Sequence, residues 1–456
     1  MSDILSNLAG VVGADGIVSG DALGDYTHDE ALSGDPCVPI AVVRPADSDQ
    51  VSRILRLATE HHVPVTARGS GTGLSGACVP RQGGIVVSFE RMKRIVEVDT
   101  ANHTAIVEAG VTLDELNKRL EPDGLVYPVF PGENSASLGG NVATNAGGMR
   151  AVKYGVTRHN VLGLEAVLPT GEIIHTGGKF VKASTGYDLT QLIIGSEGTL
   201  ALVTQVIVKL VPRLAHGATL LAPFRGLEDA IRAVPAIVVK GIGPLLIEYI
   251  DQMTMIAITA QSKLELGISD KVRAETQAYL LVVLEESSQP RIAEDMEAAG
   301  AVLTEHGAID VYVLQPGAAQ HMIEARERSF WTAKASQASD VIDIVVPRAV
   351  LPEYMQKVRE IALHHQTMIP GCGHAGDGNV HLAVFQHEKD KHTALLRDLF
   401  TAGLALGGMI SGEHGIGTVK KDYFMKFEDP VKIALMRRIK GAFDPANILN
   451  PGKIFD

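Results

Sequence analysis

The sequence predicts an α+β protein in at least two parts, on three observations. Short strands outnumber helices in the first half, so strand and helix do not alternate as in a doubly wound parallel sheet. After Pro212 glycine thins out, and strands and helices follow in the order of an antiparallel sheet flanked by helices, as in a ferredoxin-like layer. The chain has 456 residues, enough for two or three cores. The expected division is a helical N-terminal segment over residues 1–35, one domain over 36–212 and a second over 213–456.

In order, residues 39–45 read as a strand. Residues 47–62 read as a helix with Val51, Ile54, Leu55 and Ala58 on one face, and residues 63–67 as a second strand. Next comes Arg68-Gly69-Ser70-Gly71-Thr72-Gly73-Leu74-Ser75-Gly76, with four glycines in nine residues. Its free backbone N–H groups suit phosphate oxygens, and the plain alternative is a flexible turn. A strand-like run over 84–89 follows instead of a helix, so this is not a Rossmann fingerprint, and no Gly-Lys-Ser/Thr makes it a P-loop. Strands are expected at 95–98 and 104–107, and a helix at 111–120.

A second glycine-rich segment spans residues 131–148. Its small residues cannot build a core alone, so it is expected as a long ordered loop against which a flat ring with a diphosphate tail could press. Residues 161–168 and 172–175 form a hairpin, and 203–211 a β-branched strand. Beyond Pro212, helices are expected at 227–239, 291–300, 320–336 and 351–365. Strands are expected at 245–250, 279–285, 310–314 and 341–346, and a poorly defined turn at 271–277. A helix over 431–443 precedes a tail whose Asn and Pro residues read as a docked turn.

Composition narrows the function. Apolar residues make up 46% of the chain, which is ordinary for a globular protein. No apolar run approaches the roughly 18 residues of a membrane span. Residues 200–211 come nearest, but Thr204, Gln205 and Lys209 make them a buried strand. The N-terminus shows no basic-then-apolar signal peptide. A net charge of −12 argues against nucleic-acid binding and offers no basic stripe to a membrane. Cys37, Cys78 and Cys372 show no C-x-x-C spacing, which fits a reducing cytoplasm. Cys372 reads as a packing residue, with a soft metal ligand as the alternative.

The densest chemistry lies between Pro370 and Lys421. His374 and His381 are separated by six residues, and Glu413 comes from a distant segment. Two imidazoles and a carboxylate make a catalytic divalent-metal set, best suited to Zn²⁺, with Mn²⁺ or Fe²⁺ also accommodated. The alternative is a pair of satisfied buried histidines and a hydrogen-bonding acid. Asp377 is expected to orient a ligand histidine or a backbone turn. His414, among glycines, is suited to moving a proton, or else is a further ligand. A metallohydrolase without flavin would use the same groups but leave both glycine segments unexplained. A non-catalytic subunit that only passes electrons is the other competing class.

Taken in order, the two glycine segments, Ser196-Glu197-Gly198-Thr199, the run from His374 to His381, Gly412-Glu413-His414-Gly415 and Asn450-Pro451-Gly452-Lys453 resemble the FAD-linked D-2-hydroxyacid dehydrogenases. That family includes D-lactate dehydrogenase, the flavin subunit of glycolate dehydrogenase and D-2-hydroxyglutarate dehydrogenase. The resemblance runs from about residue 36 to the end. It implies an FAD domain of the vanillyl-alcohol-oxidase type and a cap domain whose sheet covers the flavin ring. FAD would be held by Arg68, Gly69, Ser70, Gly71, Thr72 and Gly73 of the first loop. The second segment would add Pro131, Gly132, Ser137, Leu138, Gly140, Asn141, Thr144, Asn145, Gly147 and Gly148. Tyr154, Glu197, Gly198 and Asn450 complete the implied cofactor set. Ser70 stands where the family often has glycine. Some relatives tether FAD covalently through a histidine in the first loop; this loop has Ser70 and Thr72 and no histidine, so non-covalent FAD is expected.

The resemblance also implies roles in catalysis. His414 would take the hydroxyl proton, flavin N5 the hydride, and the metal would hold the hydroxyl and a carboxylate oxygen. Arg326 matches the family's substrate arginine, with Arg348 as the other candidate and Asn379 as a further substrate contact. Phe330, Trp331 and Val341 are apolar where a second carboxylate would need polar partners, which favours a small or hydrophobic side chain over a second carboxylate; D-lactate or glycolate is the expected substrate, with D-2-hydroxyglutarate as the alternative. The implied electron acceptor is a quinone, a cytochrome or an electron-transfer flavoprotein, with direct use of O₂ also open. The expected location is the cytoplasm, at most peripheral to a membrane through the acceptor, and the reading leaves room for a homodimer.

Overall fold

The computed structural model describes residues 2–455. A four-stranded sheet runs in the order Ile17–Val18, Ala41–Val43, Ile85–Ser88, Val65–Arg68. Its last three strands are mutually parallel, and the crossover from the first of them is the helix Ser48–Glu60. Asp47 caps that helix by accepting from the Gln50 backbone N–H, and Val51, Ile54, Leu55 and Ala58 are buried, as the spacing predicts. A five-stranded antiparallel sheet follows: Ile95–Asp99, Thr104–Glu108, Leu202–Lys209, Val161–Val167, Ile173–Gly177. The helix Leu113–Leu120 opens on a capping box between Thr112 and Glu115 and buries Leu113, Leu116 and Leu120.

The second half is organised around one seven-stranded antiparallel sheet. Its order is Tyr312–Val313, His216–Phe224, Ala278–Glu286, Leu246–Asp251, Gly371–His374, Asn379–Val384, Asp340–Val345. Both faces are buried. Leu280, Val282 and Leu284 point into one core, and Tyr279, Leu281 and Val283 into another. The first core is covered by helices including Leu227–Val239 and Leu351–His364. The second reaches Met149 and Phe130 of the first half, so that face looks toward the glycine-rich segments.

Several elements differ from the sequence prediction. Within residues 131–148 the chain forms a helix, Leu138–Thr144, capped by Ser137. Leu138 and Val142 are fully buried in the core of the five-stranded sheet, so this segment does contribute to a core. Burial of roughly 1.5–3 kcal/mol per aliphatic side chain outweighs the poor helix propensity of its glycines. Residues 270–275 form a helix rather than a turn, with Ser269 as its cap. The helix expected over 320–336 is two, Pro316–Glu327 and Ser329–Ala335, meeting at Arg328. The strand His216–Phe224 and the helices Gln252–Ser262, Lys389–Ala405 and Lys421–Phe427 are not foreseen from the sequence.

The tail docks against the first sheet. Val65 N–H donates to Ile448 O and Asn450 N–H to Val65 O, at 2.7 Å each. Lys440 is buried and donates to Thr199 O, Leu449 O and Asp444, tying the last helix to that turn.

Candidate functional site

Alternation along the strands of the large sheet builds the site. Ile247 and Tyr249 face the helix-covered core, so Glu248 faces the opposite way. Likewise Val380 and Leu382 send His381, and Ile342 and Ile344 send Asp343, to that opposite face. Cys372 packs there and His374 follows two residues later. Register then sets neighbours: Glu248 lies across from His374, and His381 across from both Cys372 and Asp343.

Glu413 completes a cluster. His374 Nε2, His381 Nε2 and Glu413 Oε1 lie 3.2 Å from one another in every pairing. Two imidazole nitrogens at that separation aim lone pairs at one point, as metal ligands do. His374 Nδ1 lies 2.7 Å from Glu248 Oε1, which leaves Nε2 unprotonated toward the cluster when Nδ1 carries the proton. Burial opposes charge on His374, but Glu248 and Glu413 outweigh it and hold its pKa well above the usual value. Burial likewise works against charge on Glu413, yet His374 and His381 hold its carboxyl far below the usual range. The field between these carboxylates thus favours a cation, whether a proton on His374 or a metal ion. The donor set fits a divalent metal.

Asp343 holds the loop that carries Glu413. Its Oδ2 accepts from the backbone N–H groups of Gly412, Glu413 and His414 at 2.8–2.9 Å, and from the Ser411 hydroxyl at 3.0 Å. Asn379 donates to Asp343 Oδ1 at 2.6 Å and to Ile344 O, so its amide supports this loop. His414 stacks on His381, with ring centroids 5.1 Å apart. Burial pushes its pKa down to about 4; Asp343 opposes that shift and Lys420 adds to it. His414 is therefore neutral near pH 7, and its Nδ1 is buried without a hydrogen-bond partner among the described residues. A neutral, unengaged imidazole can accept a proton.

Two cavities meet at Glu413 and His414. The first runs between the glycine segments. Gly69, Ser70, Gly71, Thr72 and Gly73 form one wall. Ser137, Gly140, Asn141, Thr144 and Gly147 form another, and Pro131, Glu197 and Gly198 close it. Close approach explains the small residues: a Cβ on Gly69 would lie 2.0 Å from Ser137 Oγ, and one on Gly147 2.7 Å from Glu413 Oε2. The Glu197 carboxylate accepts from Ile416 and Gly417 N–H groups at 2.7 Å each, so it joins this cavity to the His414 loop. Asn450 donates to Ala77 O and Glu197 O from behind the wall.

Other residues of the implied cofactor set lie elsewhere. Arg68 donates to the carbonyls of Asp25 and His28 and pins the N-terminal segment. Leu138 is in the core, Asn145 accepts from Arg158 N–H, and Tyr154 donates to Glu285. Gly148, at φ +105°, lets the chain pass the Phe130 carbonyl, and Gly132 lines the second cavity.

That second cavity holds Arg326, which is 4% exposed and whose Nη2 lies 2.7 Å from Glu248 Oε2. Arg326 Nη1 donates to the Ser329 hydroxyl at 3.1 Å, and Nε is buried without a hydrogen-bond partner among the described residues. Arg348 is exposed on the turn Arg348–Val350 and lines neither cavity. Cys372 is a buried wall residue outside the cluster of converging donors. Asp377 Oδ2 is buried without a partner among the described residues, and it is Glu248 that engages His374 Nδ1. The only sequence signal for Glu248 and Asp343 is an acid interrupting an apolar strand.

Residues 39–177 match the FAD binding domain model, and residues 213–454 match the model of the C-terminal domain of FAD linked oxidases. An uncharacterised FAD-linked oxidoreductase of Mycobacterium tuberculosis is 55% identical over 456 residues, covering 100% of this chain and 99% of that one. A D-lactate dehydrogenase of Archaeoglobus fulgidus is 40% identical, covering 91% of this chain and 90% of its own. The glycolate oxidase subunit GlcD of Bacillus subtilis is 38% identical, with 92% and 89% covered. The crystal structure of p-cresol methylhydroxylase with substrate bound matches at a TM-score of 0.83 and 17% identity, covering 100% and 97%. The fold is therefore of the vanillyl-alcohol-oxidase type. The chain is an FAD-linked oxidoreductase and belongs to the family that holds the D-lactate dehydrogenases and the glycolate oxidase GlcD subunits.

Proposed function

We propose that the protein oxidises a D-2-hydroxyacid to the 2-oxoacid, with D-lactate and glycolate as the simplest substrates. The observation that carries this reading is the position of His414. A neutral imidazole stands where the FAD-domain cavity meets a second cavity large enough for a substrate. His414 takes the hydroxyl proton as the Cα–H bond breaks and the carbonyl forms. The walls of the first cavity would hold FAD, which would supply the acceptor for the hydride leaving Cα. His374, His381 and Glu413 would hold a divalent metal, Zn²⁺ before others, which would supply the Lewis acidity that lowers the pKa of the hydroxyl. Arg326, a buried cation on the wall of the second cavity, pairs with the substrate carboxylate. Asn379 and Asp343 keep Glu413 and His414 in register.

Binding of FAD is non-covalent, since the first loop has no histidine. Electrons pass on to a quinone, a cytochrome or an electron-transfer flavoprotein. No helix among the described residues is long and apolar enough to cross a membrane. The division near residue 212 belongs to the same reading: Leu202–Lys209 is the last strand of the five-stranded sheet and His216–Phe224 the first of the seven-stranded one. A metallohydrolase would leave the first cavity without a role. Mixing the oxidised holoenzyme with single hydroxyacids under anaerobic conditions tests the proposal. Loss of the flavin band with D-lactate or glycolate and not with L-lactate is expected. Reduction by L-lactate alone overturns the stereochemistry.

A further inference from the structure

The second cavity is larger and greasier than a three-carbon acid requires. Its volume is about 500 Å³, within the range of pockets that enclose drug-sized ligands. From His374 and Arg326 it runs outward along Phe330, Val341 and Phe385 to Met253, Trp331 and Met368. The last three stay 46%, 39% and 57% exposed, so the apolar wall continues to the rim. Phe330 and Trp331 meet edge to face with centroids 5.3 Å apart. Lys334 Nζ lies 5.1 Å from the Trp331 ring centroid and donates to Glu30 at 2.6 Å, which steadies this shelf across the mouth.

Charge points the same way. Among the described residues lining this cavity, Arg326 is the only lysine or arginine. Glu30, Glu133 and Glu327 line it as well. One substrate carboxylate therefore has a cation to meet inside the cavity; Lys334 at the mouth is already paired with Glu30, so a second carboxylate would lie near Glu30 and Glu133 with no further cation on the wall, at the cost of its desolvation.

We infer that this cavity selects 2-hydroxyacids with one carboxylate and an apolar side chain of about four carbons or a phenyl ring. It prefers them to D-lactate and glycolate, and discriminates against D-2-hydroxyglutarate. The inference rests on the proposed oxidation. Each added methylene buried against such a wall strengthens binding, and an apolar pocket discriminates by about tenfold or more per methylene.

The test is anaerobic flavin reduction in the holoenzyme with D-lactate, D-2-hydroxyhexanoate, D-3-phenyllactate and D-2-hydroxyglutarate. D-2-hydroxyhexanoate and D-3-phenyllactate are expected to exceed D-lactate in kcat/KM by at least about tenfold, and D-2-hydroxyglutarate to fall below it. Trp331→Ala lowers the ratio of hydroxyhexanoate to lactate by about tenfold, and Trp331→Phe restores most of it. Trp331 is the chain's sole tryptophan, so its emission also reports binding. The product 2-oxohexanoate shifts it at concentrations where pyruvate does not. Faster reduction by D-lactate than by hydroxyhexanoate, or a ratio unmoved by Trp331→Ala, overturns this inference and leaves the proposed oxidation standing. Reduction by none of the acids overturns both.

Discussion

His414 and Glu248 show how single side chains set the chemistry. His414 stays neutral because it is buried, while Asp343 grips only its backbone N–H, leaving the ring free. Glu248 does the opposite: it fixes the His374 ring and touches Arg326 with its other oxygen. Glu248→Gln should weaken divalent-metal affinity by roughly 10–100-fold, since partners that orient ligand histidines typically contribute that much. Competition with a fluorescent chelator measures it, and unchanged affinity would contradict the role. Glu413 and His414 could be found in the sequence because glycines flank them. Glu248 could not, because its partner His374 lies 126 residues away and only strand register brings them together.

At the scale of elements, the loop 411–417 is held by side chains from elsewhere. Asp343 gathers four donors on one oxygen, and Glu197 takes two more from Ile416 and Gly417. Burial disfavours charge on Asp343, but His414, Lys420 and the backbone donors hold its pKa well below the carboxylate range. Asp343→Ala leaves those donors buried and unpaired. It should cost about 3–5 kcal/mol in urea unfolding and abolish metal binding. Wild-type stability with intact metal binding would show that the loop is held by other contacts. The helix Leu138–Thr144 carries the opposite lesson. Its glycines hide it from propensity, and it forms because Ser137 caps it and Leu138 and Val142 have a core to enter. The break at Arg328 and the helix Asp270–Glu275 escaped for the same reason: local pattern does not record where tertiary contacts begin.

Over the whole molecule, the large sheet packs one face on helices including Leu227–Val239 and Leu351–His364 and the other on the helices Gln252–Ser262 and Pro316–Glu327 and on Met149 and Phe130 of the first half, and the site lies on that second face. Glycine content, strand frequency and the change of pattern at Pro212 made an α+β fold with an antiparallel sheet legible. The seven-stranded order was not, since Gly371–His374 pairs with Leu246–Asp251 across more than a hundred residues. The lining of the first cavity by both glycine segments was legible in outline. The turning away of Arg68 and Tyr154 was not, because their partners Asp25, His28 and Glu285 come from unrelated segments. Treating the holoenzyme with a strong chelator should stop flavin reduction by hydroxyacids while the flavin stays bound, because the donor cluster and the first cavity share only Glu413. Full activity in a metal-free preparation would remove the metal from the account.

The central claim is that His414 receives the substrate proton where the two cavities meet. Stopped-flow anaerobic reduction of wild type and His414→Ala by a D-2-hydroxyacid, with bound FAD quantified in both, tests it most directly. The account predicts equal FAD content and a reduction rate at least about 100-fold lower in the variant, the scale of a lost general base. An unchanged rate in a variant with full FAD content would contradict it.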